Sequence, residues 1–255
     1  MLHFEYFAVT DSGEDRGINE DRVLIDGNLL QNGEVYGQTD DRLLAAICDG
    51  FGGEERSGEA AGISAVSMRS ACNGRQYPLK IMETIYKTNR KVLDKRVYGE
   101  GASDIRADLA TLYIDDYGYL GFNVGNVRIY SVIEGRMNTL TETYPVQIME
   151  NECADCQKSS YDNRTASFLS KYYMGMRSDK LYVSMSGDIS KPMQEALFLI
   201  CSDGLFCSIS HEEIESMLAN PSIDIAKTGR DLQNVAKQNT IGESISLALI
   251  NVSQR

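Results

Sequence analysis

The chain has 255 residues, 42% of them hydrophobic, which is enough to bury a full core. Its 37 acidic residues outnumber 25 basic ones, and the formal net charge of −12 repels nucleic acid and anionic membrane surfaces at long range while favouring cations, divalent metals above all. No basic segment leads into an apolar signal-like run, and the longest purely apolar stretch, Leu43-Leu44-Ala45-Ala46-Ile47-Cys48, is far too short to cross a bilayer, so a soluble cytoplasmic protein is expected. In chain order, aromatic and β-branched residues predict strands over His3–Thr10 and Arg22–Asp26, and the apolar run Arg42–Cys48 predicts a third that stops at Asp49-Gly50. Two helices follow, over about Glu55–Ala71 and Leu79–Val97, the second with Met82, Ile85, Tyr86, Asn89 and Leu93 on one face. Leu109–Ile114, a turn at Asp115–Gly118, then Tyr119–Val124 and Val127–Ile133, followed by a second turn at Glu134-Gly135, read as an antiparallel meander. Leu197–Cys201 predicts a buried strand, His211–Leu218 and Asp224–Lys237 helices, and Ile245–Val252 a closing strand. Strand blocks alternating with paired helices imply helices layered on antiparallel sheets.

Six cysteines in a chain of this length do not form a disulfide scaffold. Cys48 and Cys201 sit in apolar runs as small core residues. Cys153 and Cys156 have the spacing of a redox pair or half a zinc site, but no second Cys-x-x-Cys exists and only His3 and His211 could add imidazole ligands. Two thiols in a loop is an equally good reading. With so few histidines, acid–base chemistry at neutral pH falls to carboxylates or metal-bound water.

Four segments carry the chemistry: Thr10-Asp11-Ser12-Gly13-Glu14-Asp15-Arg16-Gly17-Ile18-Asn19-Glu20-Asp21, then Cys48-Asp49-Gly50-Phe51-Gly52-Gly53, then Cys201-Ser202-Asp203-Gly204, then Gly242-Glu243-Ser244-Ile245-Ser246. An isolated Asp-Gly is ordinary turn chemistry, whereas a long gapped run followed by ordered partners is specific. In order and spacing these segments resemble the PPM family of metal-dependent protein serine/threonine phosphatases, also called protein phosphatase 2C, in its bacterial stand-alone form. The motifs span residues 10 to 246, so one domain over 1–255 is expected. The resemblance implies an α+β fold, a four-layer α/β/β/α sandwich of two central antiparallel sheets flanked by helix pairs, with metals at one end. The irregular stretch at about 143–167 corresponds to the family's flap, or is simply a surface loop.

The implied activity is hydrolysis of phosphoserine and phosphothreonine in proteins by a binuclear Mn²⁺ or Mg²⁺ centre, with a weaker third ion. Two divalent cations a few ångströms apart supply a nucleophilic water and relieve phosphoryl charge, and such hard ions take oxygen ligands. Asp49 is expected to bridge the ions, with the Gly50 carbonyl as a second contact; Asp203 and Glu243 complete the site around one ion. Asp21 would hold metal-coordinated water, Glu20 would orient it, and the guanidinium of Arg16 would pair two phosphoryl oxygens of the substrate. Asp11 is expected to support the turn that presents Arg16. The implied partners are phosphoproteins made by a Ser/Thr kinase, and the implied state is monomeric.

Several residues depart from the family pattern. Gly125-Asn126-Val127-Arg128 stands where the family has Gly-Asp-Ser-Arg, so Asn126 offers the third ion only a neutral amide. Glu243-Ser244-Ile245-Ser246 replaces Asp-Asn-x-Thr, lengthening the carboxylate arm. Phe51 occupies the place of a general-acid histidine found in many eukaryotic members, Leu109-Ala110-Thr111 replaces Gly-Thr/Ser-Thr, and Leu169–Gly175 only loosely matches Thr-Arg-x-Leu-Gly. Asn126 and Glu243 keep open an alternative, a feeble or inactive phosphatase-like module that binds a partner.

Overall fold

The computed structural model describes residues 1–13, 17–51, 56–72, 78–99, 105–143, 171–189, 193, 195–220, 223–239 and 243–255. Among the described residues, twelve strands form two antiparallel sheets of six. The first contains β1 (Leu2–Asp11), β4 (Gly33–Asp40), β8 (Arg128–Ile133), β9 (Arg136–Thr139), β11 (Ala196–Cys201) and β12 (Ile245–Gln254), in the order β4-β1-β12-β11-β8-β9. The second contains β2 (Arg22–Ile25), β3 (Asn28–Leu30), β5 (Arg42–Phe51), β6 (Arg106–Asp115), β7 (Gly118–Val124) and β10 (Ser184–Asp188), in the order β10-β7-β6-β5-β2-β3. Helices α1 (Ser57–Arg69) and α2 (Pro78–Tyr98) cover the second sheet, and α3 (Asp203–Phe206), α4 (His211–Leu218) and α5 (Ile225–Asn239) cover the first. The expected four-layer α+β sandwich is therefore the observed one.

Strand alternation builds three apolar layers. Leu43, Ala45 and Ile47 of β5, Ala110, Leu112 and Ile114 of β6, Phe4, Tyr6 and Ala8 of β1, and Ala248, Ile250 and Val252 of β12 fill the space between the sheets. The opposite parity, Leu44, Ala46 and Cys48, packs against Ala60, Ala61, Ala65 and Met68 of α1, whose small residues let the helix lie close to the sheet. On the other side Phe7, Leu247 and Leu249 meet Leu232 and Ala236 of α5. Gly229 is required there, because a Cβ at this position would collide with the Phe7 ring. Asp224 and Ser210 cap α5 and α4, accepting from Lys227 N at 2.9 Å and Glu213 N at 3.2 Å.

The expected strands and helices fall near their predicted places, with informative differences. The three-strand meander is broken: β6 and β7 pair, but β8 pairs with β11 and β9 in the other sheet, so the chain changes sheets at Gly125-Asn126-Val127. Val127 and Ile129 then point into the inter-sheet core. β5 does not stop at Asp49; it runs to Phe51 because Arg106–Asp108 pair opposite its last three residues. The buried face of α2 is Ile81, Ile85, Thr88, Asn89 and Val92, rotated so that Tyr86 is 40% exposed. Asn89 faces inward because it accepts from Gly175 N at 2.8 Å and Met176 N at 3.1 Å and donates to Met176 O at 2.8 Å, tying the 171–176 segment to the helix. Strands β3, β4, β9 and β10 have no counterpart among the predicted elements. Cys48 and Cys201 are buried and free, as expected of core residues, and burial drives the Cys201 thiol up to about 12. Cys153, Cys156 and positions 144–167 of the expected flap lie outside the described residues.

Candidate active site

The parity that makes the inter-sheet core also makes the site. One step beyond Ile47, Ala110 and Val23, the same side of the second sheet carries Asp49, Asp108 and Asp21. One step beyond Ala8, Ile200 and Ala248, the first sheet carries Thr10, Ser202 and Ser246. The registers Asp49↔Asp108, Arg22↔Cys48, Thr10↔Ser246 and Cys201↔Arg128 bring all these ends together.

The first sheet's contribution is a closed hydroxyl lattice. Thr10 Oγ1 and Ser246 Oγ lie 2.7 Å apart, Asn19 Nδ2 donates to Thr10 Oγ1 at 2.8 Å, and Ser246 N donates to Ser202 Oγ at 3.0 Å. Asn19 Oδ1 accepts from Asp21 N at 2.9 Å, and the Arg22 guanidinium donates to the carbonyls of Asn19 and Asp21 at 2.9 and 2.6 Å. Glu20 N donates to Ser244 Oγ at 3.1 Å. The Asn19-Glu20-Asp21 turn is thereby fixed on the start of β12, beside half-buried Glu243. Asp11 accepts from Gly13 N at 3.0 Å and from Lys237 Nζ at 2.8 Å; the rest of the turn it was expected to support, leading to Arg16, lies outside the described residues. Arg16, Gly52 and Gly53 lie outside the described residues.

Negative charge is concentrated beside this lattice, from Asp21, Asp49 and Asp108 of the second sheet and from Asp203 and Glu243 at the ends of β11 and β12. Asp21 is fully buried, and Asp108 and Asp203 are buried. Part of Asp49 stays accessible at the mouth, yet its carboxyl is pushed well above the usual range, by burial first and then by the charges of Asp21, Asp203, Asp108 and Glu243. Burial drives Asp21 up to about 7; the Ser246 and Ser202 hydroxyls and the Asp49 carboxyl pull it back, and the Asp203 charge adds to the rise. Those neighbours do not close a hydrogen bond of good geometry, for both Asp21 oxygens are buried without a partner. An unpartnered buried carboxylate is costly unless a ligand completes it.

The donors suit a hard divalent cation: all are oxygens, mounted on strand ends and rich in charge. Among the described residues no three His, Cys, Asp or Glu groups converge on one point as an ion cage. Gly204, behind Asp203, is needed because a Cβ there would collide with the Ser244 carbonyl. Neither histidine takes part: His3 pairs with Asp40 at 2.7 Å at the far end, and His211 lies against the Tyr130 ring, 5.9 Å between centroids. Phe51 packs edge-on against Tyr173 with centroids 6.0 Å apart.

The structure thus brings together Asp21, Asp49, Asp203 and Glu243 as electrostatic neighbours, and puts Glu20 and Asn126 on adjoining turns. Motif reading missed Asp108, and gave no role to Thr10 and Ser202, which lie within the motifs. The signal was present: Asp108 precedes Ala110 and Leu112 with the same parity, so extending the predicted strand by one residue puts it in the site.

No family model and no curated protein matches the chain. Solved structures do. The Mycobacterium tuberculosis serine/threonine phosphatase PstP/Ppp superposes with a TM-score of 0.76 at 17% identity, covering 99% of this chain and 100% of that one. The catalytic domain of PstP in complex with two manganese ions gives 0.76 at 17% identity, with 100% of each chain covered. The S. agalactiae serine/threonine phosphatase gives 0.74 at 18% identity over 97% and 98% of the chains, and PppA of Pseudomonas aeruginosa 0.75 at 15% over 98% and 97%. Along its whole length this chain has the fold of bacterial serine/threonine phosphatases, in agreement with the resemblance of its motifs to the PPM family.

Proposed function

We propose that this protein is a Mn²⁺- or Mg²⁺-dependent phosphatase that hydrolyses phosphoserine and phosphothreonine in proteins, one domain over 1–255, acting as a cytoplasmic monomer on the products of a Ser/Thr kinase. The observation that carries the reading is the row of acids at one end of the inter-sheet space, with Asp21 fully buried and both its oxygens unpartnered. Two divalent ions held there would supply an activated water and relieve charge on the phosphoryl oxygens. Asp49, the Gly50 carbonyl, Asp203 and Glu243 are the proposed ligands. Asp21 holds water at the centre's inner edge and Glu20 orients the attacking water. Arg16 pairs the substrate phosphate. With both histidines elsewhere, proton transfer rests on carboxylates and water. Among the described residues no helix is long and apolar enough to cross a membrane.

The neutral Asn126 and the lack of convergence on one point among the described acids favour a second reading, a phosphatase-like binding module. Hydrolysis of p-nitrophenyl phosphate and of a phosphothreonine peptide, each with Mn²⁺, Mg²⁺ or EDTA, separates the two. Metal-dependent turnover of the peptide is expected. Metal binding with no hydrolysis of either compound would select the binding module.

A further inference from the structure

Asp108 stands directly opposite Asp49 in the β5–β6 ladder, so the Cβ atoms of the two acids are about 4.5–5.5 Å apart on the side facing the inter-sheet space. It is 4% exposed. Like charges directly opposite one another weaken a sheet, and a purely structural residue here would be neutral. The surroundings nonetheless hold this carboxylate in place. Asn126 N donates to Asp108 Oδ2 at 2.8 Å. Gly125, at φ +99°, adjoins the same group, and any Cβ at that position would collide with the Asp108 carboxyl group. The crossover between the sheets is thus fitted closely around this side chain. A second observation points to a ligand nearby: Asp21, fully buried in the same space, has both oxygens unpartnered.

We infer that Asp108 is a further ligand of the divalent-metal centre, serving an additional ion beside Asp49, and that Asn126 contributes its backbone N–H as the support of that ligand. The carboxylate missing from position 126 is supplied from the neighbouring strand. The inference rests on the proposed function only for the presence of divalent metal. It also alters the expectation for Asn126: a carboxylate introduced there would crowd Asp108 and add repulsion, whereas a site that lacked a charged ligand would gain from it.

The alternative role for Asp108, capping the 125–126 turn, needs an acceptor oxygen but no charge. Asp108→Asn separates the two, because its amide oxygen can still accept from Asn126 N. In calorimetric Mn²⁺ titrations of the full chain, Asp108→Asn is expected to weaken one class of sites about 10- to 100-fold, with the remaining class preserved and the melting temperature in EDTA not lowered. Asn126→Asp is expected not to tighten Mn²⁺ binding. An Asp108→Asn isotherm superposable on the wild type overturns the inference and leaves the phosphatase reading intact. An Asp108-sensitive class of Mn²⁺ sites in a protein that hydrolyses no phosphomonoester supports the inference and removes the phosphatase reading. Should Asp108→Asn not fold, Mn²⁺-soaked wild-type crystals decide: anomalous density at coordination distance from an Asp108 oxygen supports the assignment, and Mn²⁺ bound only elsewhere overturns it.

Discussion

Both ends of the sandwich are rich in aspartate, and the contrast between them separates turn chemistry from a site. At the end where Arg42 pairs with Asp115, each acid has a local task. Asp115 accepts from Tyr117 N at 2.9 Å and Tyr113 OH at 3.1 Å, Asp40 pairs with His3 at 2.7 Å, and Asp26 accepts from Tyr6 OH at 3.4 Å. Asp26 and Asp41 have φ of +46° and +70°, the left-handed backbone that aspartate tolerates in tight turns. The His3 partner pulls the Asp40 carboxyl below its usual range. At the other end burial and like charges push Asp49 and Asp21 upward. Counting acids would rank the two ends alike. Parity, burial and unpartnered oxygens distinguish them.

The sharpest test substitutes one acid at each end. Asp49→Asn should lower Mn²⁺-dependent turnover by more than about 100-fold, since a ligand shared by two ions serves both. In EDTA at pH 8 the same variant should melt above the wild type, because it relieves repulsion among crowded carboxylates. Asp115→Ala should do the reverse, leaving turnover within about twofold and costing about 1–3 kcal/mol of stability by orphaning Tyr113 OH and Tyr117 N. Turnover retained in Asp49→Asn, or lost in Asp115→Ala, would invert the comparison.

Next in size is Arg16→Ala. Steady-state kinetics on a phosphothreonine peptide should show KM raised by about tenfold or more, with Mn²⁺ affinity unchanged, because a guanidinium that pairs phosphoryl oxygens touches substrate and not metal. A parallel loss of Mn²⁺ affinity would reassign the residue.

The pH dependence follows from the raised carboxyls at the acidic end. The folded protein holds a proton on Asp21 up to about 7, against 3.8 for an unperturbed carboxyl, and Asp49 is likewise raised. In that interval the folded state binds more protons than the unfolded chain, so metal-free stability falls as pH rises from about 4 through 7. Mn²⁺ binds the deprotonated carboxylates, so the rise in melting temperature on adding it should be larger at pH 8 than at pH 5. Equal rises at both would remove the raised acids from the metal centre. The smallest effect belongs to the far end: Asp40→Ala, which breaks a pair with one exposed partner, should change stability by less than about 1 kcal/mol in denaturant melts.

Much of this contrast was legible in the sequence because the central strands are buried on both faces. β5, β6, β11 and β12 read as apolar runs, and the motif acids Asp49, Asp203 and Glu243 follow those runs or lead into them. The edge strands did not read so clearly. β4, Gly-Glu-Val-Tyr-Gly-Gln-Thr-Asp, has no fully buried side chain, so its pairing with β1 leaves little hydrophobic trace. The sheet change after β7 was hidden as well, for Gly125-Asn126 has the composition of a hairpin turn, and only the burial of Val127 and Ile129 between the sheets shows where β8 belongs. On α2 the apolar count favoured Tyr86, while the packed face is completed by polar Thr88 and Asn89, whose partners are the Thr84 carbonyl and the 175–176 backbone.

The pairing of β1 with β12 has a consequence for biosynthesis. Leu2 lies opposite Gln254 and Thr10 opposite Ser246, so the strand made first finds its central neighbour only after some 240 further residues have been added. Until then β1 has only β4 beside it, and the hydroxyl that Ser246 places against Thr10 is missing. A nascent chain can complete α1, α2 and the β5–β6 ladder on its own, but the first sheet closes last, across the greatest sequence separation in the molecule. Ribosome-stalled fragments ending before Ile245 would therefore carry Asp49 and Asp108 on a formed ladder and still lack the hydroxyl of Ser246 opposite Thr10, so the two sheets' contributions to the candidate site would meet only once β12 has been made.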